Sequence, residues 1–200
     1  IFRLLAAVRA QAPAREVALA APTGKAAARI SDRNREQEEG GGPAGLPPAR
    51  TLHRLLGYRP LEDTFAHGPE RPLPAGVVIL DEASMVDLLL MERLFAALHP
   101  RSLVVLLGDK DQLASVATGY VLGDMVEAAA DPAAPAALRG AVSGLERCYR
   151  YRKGSGLQEL VAALREKEPG RALAVLTDES YPALSLRPRP PGAGGAAALL

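Results

Sequence analysis

Two apolar runs, Val77–Leu80 (VVIL) and residues 103–107 (LVVLL), each stop abruptly at a polar turn, DE after the first and GDKDQ after the second. Runs without alternating polar residues predict strands covered on both faces, as in the parallel sheet of an α/β domain. Between them Met91, Leu94, Phe95 and Leu98 recur at i, i+3, i+4 and i+7, which predicts one apolar helix face. Ser84 and Asp87 have the spacing of a capping box variant that would open this helix. Strand, helix and strand within about 30 residues make a βαβ unit. No other feature narrows the fold as far, because it requires a mainly parallel sheet with helices laid on it.

The remaining segments fit round that unit. Ile1, Leu4, Leu5 and Val8 share a helix face, residues 16–21 (EVALAA) read as a strand closed by Pro22, and GKAAARI reads as a helix. Residues 33–50, polar and then Gly and Pro rich, are expected as a surface loop with nothing to bury. Thr51 caps a short helix carrying Leu52, Leu55 and Leu56, which Gly57 stops, and the proline-rich residues 58–75 are expected as an irregular excursion. Residues 120–130 and 155–166 are predicted helices, 145–149 a short strand, and the tail from Arg187 is expected to be loosely ordered. The chain has no initiator Met, starts inside a helical pattern and ends in GAGGAAALL, so it reads as a piece of something longer.

Composition excludes some classes. No apolar run approaches the roughly 18 residues of a membrane span, and nothing resembles a signal peptide. A single cysteine, Cys148, excludes a disulfide framework within the chain and a cysteine zinc site, and fits a reducing cytosol. The net charge of +1 supplies no strong field for a polyanion and by itself neither supports nor excludes DNA.

In open α/β sheets ligands bind at the carboxyl ends of the strands, so the polar turns are the first places to look for chemistry. Asp81 and Glu82 close VVILDE: an Asp there can hold magnesium, usually through water, and a neighbouring Glu can take a proton from an attacking water. The same pair also suits the dipole of a helix N-terminus, so the hexapeptide alone carries both readings. In GDKDQL the Gln can orient a water or bond a phosphate, although the segment alone reads equally as a turn. APTGKAA fails as a phosphate cradle, since GxxxxGK[ST] needs Gly and a hydroxyl where this chain has Leu19 and Ala26. Thr23, Gly24 and Lys25 still open a helix, whose first N–H groups suit another anion such as a DNA phosphate, or simply make an ordinary turn. Thr51 with His53 can contact phosphate or a base, or be a cap beside a surface His. The basic cluster of Arg147, Arg150, Arg152 and Lys153 in ERCYRYRK is a phosphate-reaching arginine, a stacking patch or a solvated strand end. His67 and His99 have no ligand partners at metal spacing and read as surface residues.

Taken in order, APTGKAAARI, TLHRLLG, VVILDEASMVD, LLGDKDQLASVATGYVLGDM and LERCYRYRKGSGL resemble the motifs of superfamily 1 helicases: motif Ia, the TxH segment, motif II or Walker B, motif III and motif IV. DEASMVD, GDKDQLASV and VLGDM together resemble the RecD family, the alpha subunits of exodeoxyribonuclease V. The resemblance covers roughly residues 1–177. It implies an α/β, RecA-like P-loop NTPase domain with a parallel sheet, incomplete at its N-terminus because the P-loop would lie just before Ile1. It further implies a partial first motor domain over residues 1–145, the motif IV region and start of a second motor domain over 146–180, and a tail over 181–200. The implied protein is a cytoplasmic ATP-dependent helicase subunit moving 5′ to 3′ on single-stranded DNA, using ATP and magnesium, in a recombination and repair complex with RecB-like and RecC-like subunits. Asp81 would organise magnesium through water, Glu82 would activate the hydrolytic water, Gln112 would sense the γ-phosphate and Arg150 would be the arginine finger. Pro22, Thr23, Gly24, Lys25, Thr51 and His53 would touch the single strand, mostly its phosphates. Without the P-loop strand the sheet should show an unpaired edge, and the chain alone should be poorly stable and inactive. Competing readings are a stand-alone RecD-like helicase, a conjugative relaxase-helicase, a non-helicase P-loop ATPase and a non-catalytic scaffold derived from a motor.

Overall fold

The computed structural model describes residues 1–42, 45–110, 119–145 and 154–184, and the chain divides into two compact units, Ile1–Val142 and Ser143–Leu200. The first unit runs α1 (Phe2–Gln11), β1 (Val17–Ala21), α2 (Gly24–Glu39), β2 (Ala49–Thr51), α3 (Leu52–Leu56), a hairpin of β3 (Tyr58–Arg59) and β4 (Thr64–Phe65), then β5 (Val77–Leu80). A 3-10 turn (Ala83–Met85), α4 (Leu88–Ala96), β6 (Leu103–Leu106), α5 (Val121–Ala130) and α6 (Ala136–Arg139) follow. In the second unit α7 (Gly156–Arg165) is capped by Ser155 and packs on α8 (Pro169–Thr177), with Arg171 of α8 paired to Glu159 at 3.0 Å and to Glu166.

The main sheet has the order β2-β1-β5-β6 and every pairing is parallel. β5 lies at its centre, and its four residues are at most 1% exposed. Their alternation explains the unbroken apolar run. Val78 and Leu80 enter one layer with Leu52 and Leu56 of α3, Met91 and Leu94 of α4 and Leu122 of α5. Val77 and Ile79 enter the other with Leu5 and Val8 of α1 and Ile30 of α2. At about 1.5–3 kcal/mol for each large side chain buried, these two layers are the main stabilising term of the unit.

Several expectations need correction. The helix α2 continues to Glu39, into the segment expected as loop, because Arg, Gln and Glu are strong helix formers even where no apolar stripe reveals the period. The returning chain is bonded to it: Asn34, buried, donates to the Pro47 carbonyl at 3.3 Å, and Ala49 N–H donates to Ser31 Oγ at 3.0 Å. Residues 49–51 then add β2 to the sheet beside β1. Asp87, not Ser84, caps α4, its Oδ1 accepting from Leu90 N–H at 2.8 Å, while Ser84 lies buried in the 3-10 turn. The buried face of α4 is accordingly Leu90, Met91 and Leu94, and Phe95 is 39% exposed. β6 is half covered instead of fully buried, with Leu103 48% exposed, because β5 is its only strand neighbour among the described residues. Leu145, first in the expected strand of 145–149, is exposed and belongs to no strand; residues 146–149 and the tail from Arg187 lie outside the described residues.

Candidate functional site

Because all four strands run the same way, the turns that leave β2, β1, β5 and β6 emerge at one edge of the sheet. Across that edge lie Thr51 with His53, then Pro22 to Lys25, then Asp81 with Glu82, then the turn that begins at Gly108. Expected site residues dispersed over the sequence are thus brought to one edge of the first unit's sheet. Gln112 and Arg150 lie outside the described residues.

At the β1 end, Thr23 is the N-cap of the 16-residue α2, its Oγ1 accepting from Ala26 N–H at 3.2 Å. That bond uses a lone pair and leaves the hydroxyl proton to be donated outward. Thr23, Gly24 and Lys25 are exposed, and the N–H groups of a helix's first turn have no carbonyl within the helix to serve. The end of β2 repeats the device: Thr51 Oγ1 accepts from Arg54 N–H at 3.2 Å, and Gly57, at φ 69, stops α3 after five residues. His53 projects from this short helix and is exposed. Two donor-bearing caps on adjacent strands, with Lys25 beside one of them, make a surface suited to a run of phosphates.

At the β5 end, Asp81 and Glu82 are half-buried. Their backbone is held from both sides. Asp81 N–H donates to the Ala20 carbonyl of β1 at 2.9 Å, and Ala83 N–H donates to the Leu107 carbonyl at 2.8 Å. Between these anchors Glu82 adopts the left-handed conformation, φ 54 and ψ 37, which is uncommon for a residue with a Cβ and is enriched at functional sites. Gly108 lies so close to this turn that a Cβ on it would stand 3.1 Å from Ser84 N and 2.6 Å from Leu122 Cδ2. Beyond it the Tyr120 hydroxyl donates to the Lys110 carbonyl, tying the turn after β6 to the start of α5.

Among the described residues no group of three or more His, Cys, Asp or Glu could hold a metal by itself. One hard carboxylate at a strand end instead suits magnesium that draws its other ligands from nucleotide phosphates and water. A cleft of about 550 Å³ bordered by Arg15, Gly76, His99 and Arg101 lies at the opposite, amino-terminal ends of the strands and contains none of the expected site residues. At the carboxyl edge, by contrast, the strand ends deliver charged groups and helix α2 presents its amino end, which is where open α/β sheets bind ligands.

His67 is half-buried, with Nδ1 3.2 Å from the Arg71 carbonyl, and the exposed His99 accepts from Arg101 N–H at 3.1 Å, so both serve local turns. Tyr58 and Phe65 join the expected residues at this edge. These cross-strand partners in the β3/β4 hairpin lie against the His53 ring, and only two aromatics flanking a polar turn could have signalled them.

A family model described as AAA domain matches residues 1–118. The chain is 42% identical over 188 residues to the RecBCD enzyme subunit RecD of Mycolicibacterium smegmatis, a match that covers 88% of this chain and 32% of that protein. It is 44% identical over 137 residues to the RecBCD enzyme subunit RecD of Mycobacterium tuberculosis, covering 64% of this chain and 24% of that protein. It is 41% identical over 114 residues to the ATP-dependent RecD2 DNA helicase of Deinococcus radiodurans, covering 57% of this chain and 14% of that protein. The chain therefore spans a third or less of the length of these curated relatives.

Proposed function

This chain belongs to the AAA domain family, with the RecA-like α/β fold of a P-loop NTPase, and from that premise we propose that it is part of an ATP-dependent DNA helicase. The protein is a motor subunit of a recombination and repair exonuclease, moving 5′ to 3′ on single-stranded DNA in the cytoplasm and assembling with RecB-like and RecC-like subunits. The observation that carries this reading is the single carboxyl edge on which two capped, anion-ready turns adjoin the Asp81–Glu82 turn. The match over 188 residues to one RecD subunit, against 114 for the RecD2 helicase, supports the subunit over the stand-alone motor. No helix among the described residues is long and apolar enough to cross a membrane.

Each residue has a definite task in this mechanism. Magnesium bound with ATP would draw charge off the phosphates, and Asp81 is the carboxylate that would hold its water shell. Glu82 takes the proton from the attacking water at its carboxylate. Its fixed left-handed backbone restricts where that carboxylate can reach. Gln112 senses the γ-phosphate position and Arg150 supplies the arginine finger. Thr23, Gly24 and Lys25, following Pro22, together with Thr51 donate to successive phosphates of the strand.

The test is Glu82→Gln in the full-length protein, assayed for DNA-stimulated ATP hydrolysis and for binding. Loss of a general base lowers turnover by about 10²- to 10⁴-fold. Nucleotide and single-strand affinity should stay near wild type, since the amide keeps the shape and Glu82 lies on neither capped turn. An unchanged hydrolysis rate would remove Glu82 from its role.

A further inference from the structure

The β3/β4 hairpin follows α3 directly and folds back onto it. Ala66 N–H donates to the Gly57 carbonyl and His67 N–H to the Leu56 carbonyl, both at 3.1 Å. Gly57 permits the close return, because a Cβ there would lie 2.7 Å from the Ala66 Cβ. The fold-back brings Tyr58 and Phe65, ring centroids 5.0 Å apart, against the imidazole of His53. Tyr58 meets it edge-on, with centroids 5.3 Å apart and planes at 73°; Phe65 lies 6.2 Å away at 30°. Both rings are themselves held: Phe65 packs on the core that contains Leu52 and Leu56, and the Tyr58 hydroxyl donates to Asp63 Oδ1 at 2.8 Å. His53 nevertheless remains exposed, at the carboxyl end of β2 beside Thr51.

A phosphate contact needs only a donor within reach, and a mobile side chain supplies one. Stacking needs a flat ring kept in a fixed plane and open to solvent; the two buttressing rings supply the first, and the exposure of His53 the second. We propose that His53 takes a nucleobase of the single strand by stacking, and that Tyr58 and Phe65 are positioning residues that hold its imidazole for that contact. The inference rests on the single-strand motor reading above and narrows it: phosphates go to the capped turns, one base goes to His53. It also gives the hairpin within residues 58–75 a purpose.

The experiment measures binding of fluorescent oligo(dT), and of an abasic oligonucleotide of equal length, to the full-length protein over a series of KCl concentrations. His53→Ala should weaken oligo(dT) binding by about five- to 150-fold, the effect of removing one base–aromatic stack. It should leave the abasic affinity and the salt slope unchanged. His53→Phe should keep the preference for oligo(dT). Tyr58→Leu should reduce that preference without altering abasic binding, and Tyr58→Phe should restore it, which a merely structural role would not require. Equal loss on both strands with a salt slope shallower by about 0.7 would make His53 a phosphate contact and overturn the proposal. Wild-type binding of both strands by His53→Ala would overturn it as well, leaving the motor reading intact. If the unmodified protein binds neither strand, the motor reading falls and takes this inference with it.

Discussion

Gly108→Ala tests whether the Glu82 turn and the turn leaving β6 form one packed unit. Gly108 is outside the left-handed region, so the added methyl acts only through its contacts, 2.6 Å to Leu122 Cδ2, 3.1 Å to Ser84 N and 3.4 Å to Ala83 N. Leu122 can rotate, but it is 9% exposed and belongs to the α3/α4/α5 layer, so moving it disturbs packing around Leu80 and Leu94. The contact with Ser84 N is to backbone and can be relieved only by shifting the turn a few tenths of an ångström. Overpacking of this kind costs about 1–3 kcal/mol. The bond placed under strain is the 2.8 Å one from Ala83 N–H to the Leu107 carbonyl. If that whole cost falls on local opening, hydrogen exchange at the Ala83 amide accelerates by about five- to 150-fold. The assay is residue-resolved exchange, with Gly24→Ala as control because a Cβ there meets nothing within 4 Å. Wild-type exchange at Ala83 in the Gly108→Ala protein, with an unchanged denaturation midpoint, would refute the packing argument.

Two further perturbations separate structure from function. Thr23→Asp keeps an N-cap acceptor for Ala26 N–H, so α2 should lose little stability, whereas Thr23→Ala should cost about 0.5–2 kcal/mol. The carboxylate at that position would repel a phosphate, so Thr23→Asp should weaken single-strand binding while unfolding at the wild-type midpoint; wild-type affinity would remove Thr23 from the DNA surface. The hydrogen bond to Asp63, aided by partial burial and the charge of Asp63, raises the Tyr58 phenol above its ordinary value. A raised folded-state value means that this stabilisation is present below the unfolded value near 10 and is lost as pH rises through the folded one. Asp63→Asn keeps a residue that tolerates φ 50 and should lower the Tyr58 midpoint followed by ring NMR signals; an unmoved midpoint would contradict the assignment.

What the sequence could reveal depended on how many side chains in a segment answer to one cause. In β5 all four answer to burial, so the run is unbroken and the strand is plain. In the second half of α2 only Asn34 is buried, and through a hydrogen bond, so no apolar period marks a helix that charged side chains nonetheless favour. Two-residue strands such as β3 and β4 carry no period at all, which left the aromatic support of His53 invisible. Ser84 and Asp87 are both competent caps, and the helix starts after the second, with Ser84 held in the turn that Ala83 N–H ties to the Leu107 carbonyl. The positions of Asp81 and Glu82 at a strand end were readable for the same reason as β5 itself, whereas the left-handed turn at Glu82 is imposed by neighbours remote in sequence.

The same neighbours join the turn that opens α2 to the Asp81–Glu82 turn. Asp81 N–H bonds the Ala20 carbonyl, Leu107 N–H bonds the Leu80 carbonyl, and Ala83 N–H bonds the Leu107 carbonyl, so three strand ends are stitched at the level of their turns. Ala20 is separated from Pro22 only by Ala21, and the chain then enters Thr23, Gly24 and Lys25. The turn at the amino end of α2 is thus joined through Ala20 to the bond that holds the Asp81 backbone, and through the Glu82 turn to Leu107. Buried backbone bonds of this kind are costly to leave unmade. The soft point is Glu82, whose left-handed backbone costs of order 1–3 kcal/mol and is held by its anchors on either side. Loss of either anchor would therefore free the Glu82 backbone and with it the carboxylate proposed to activate water.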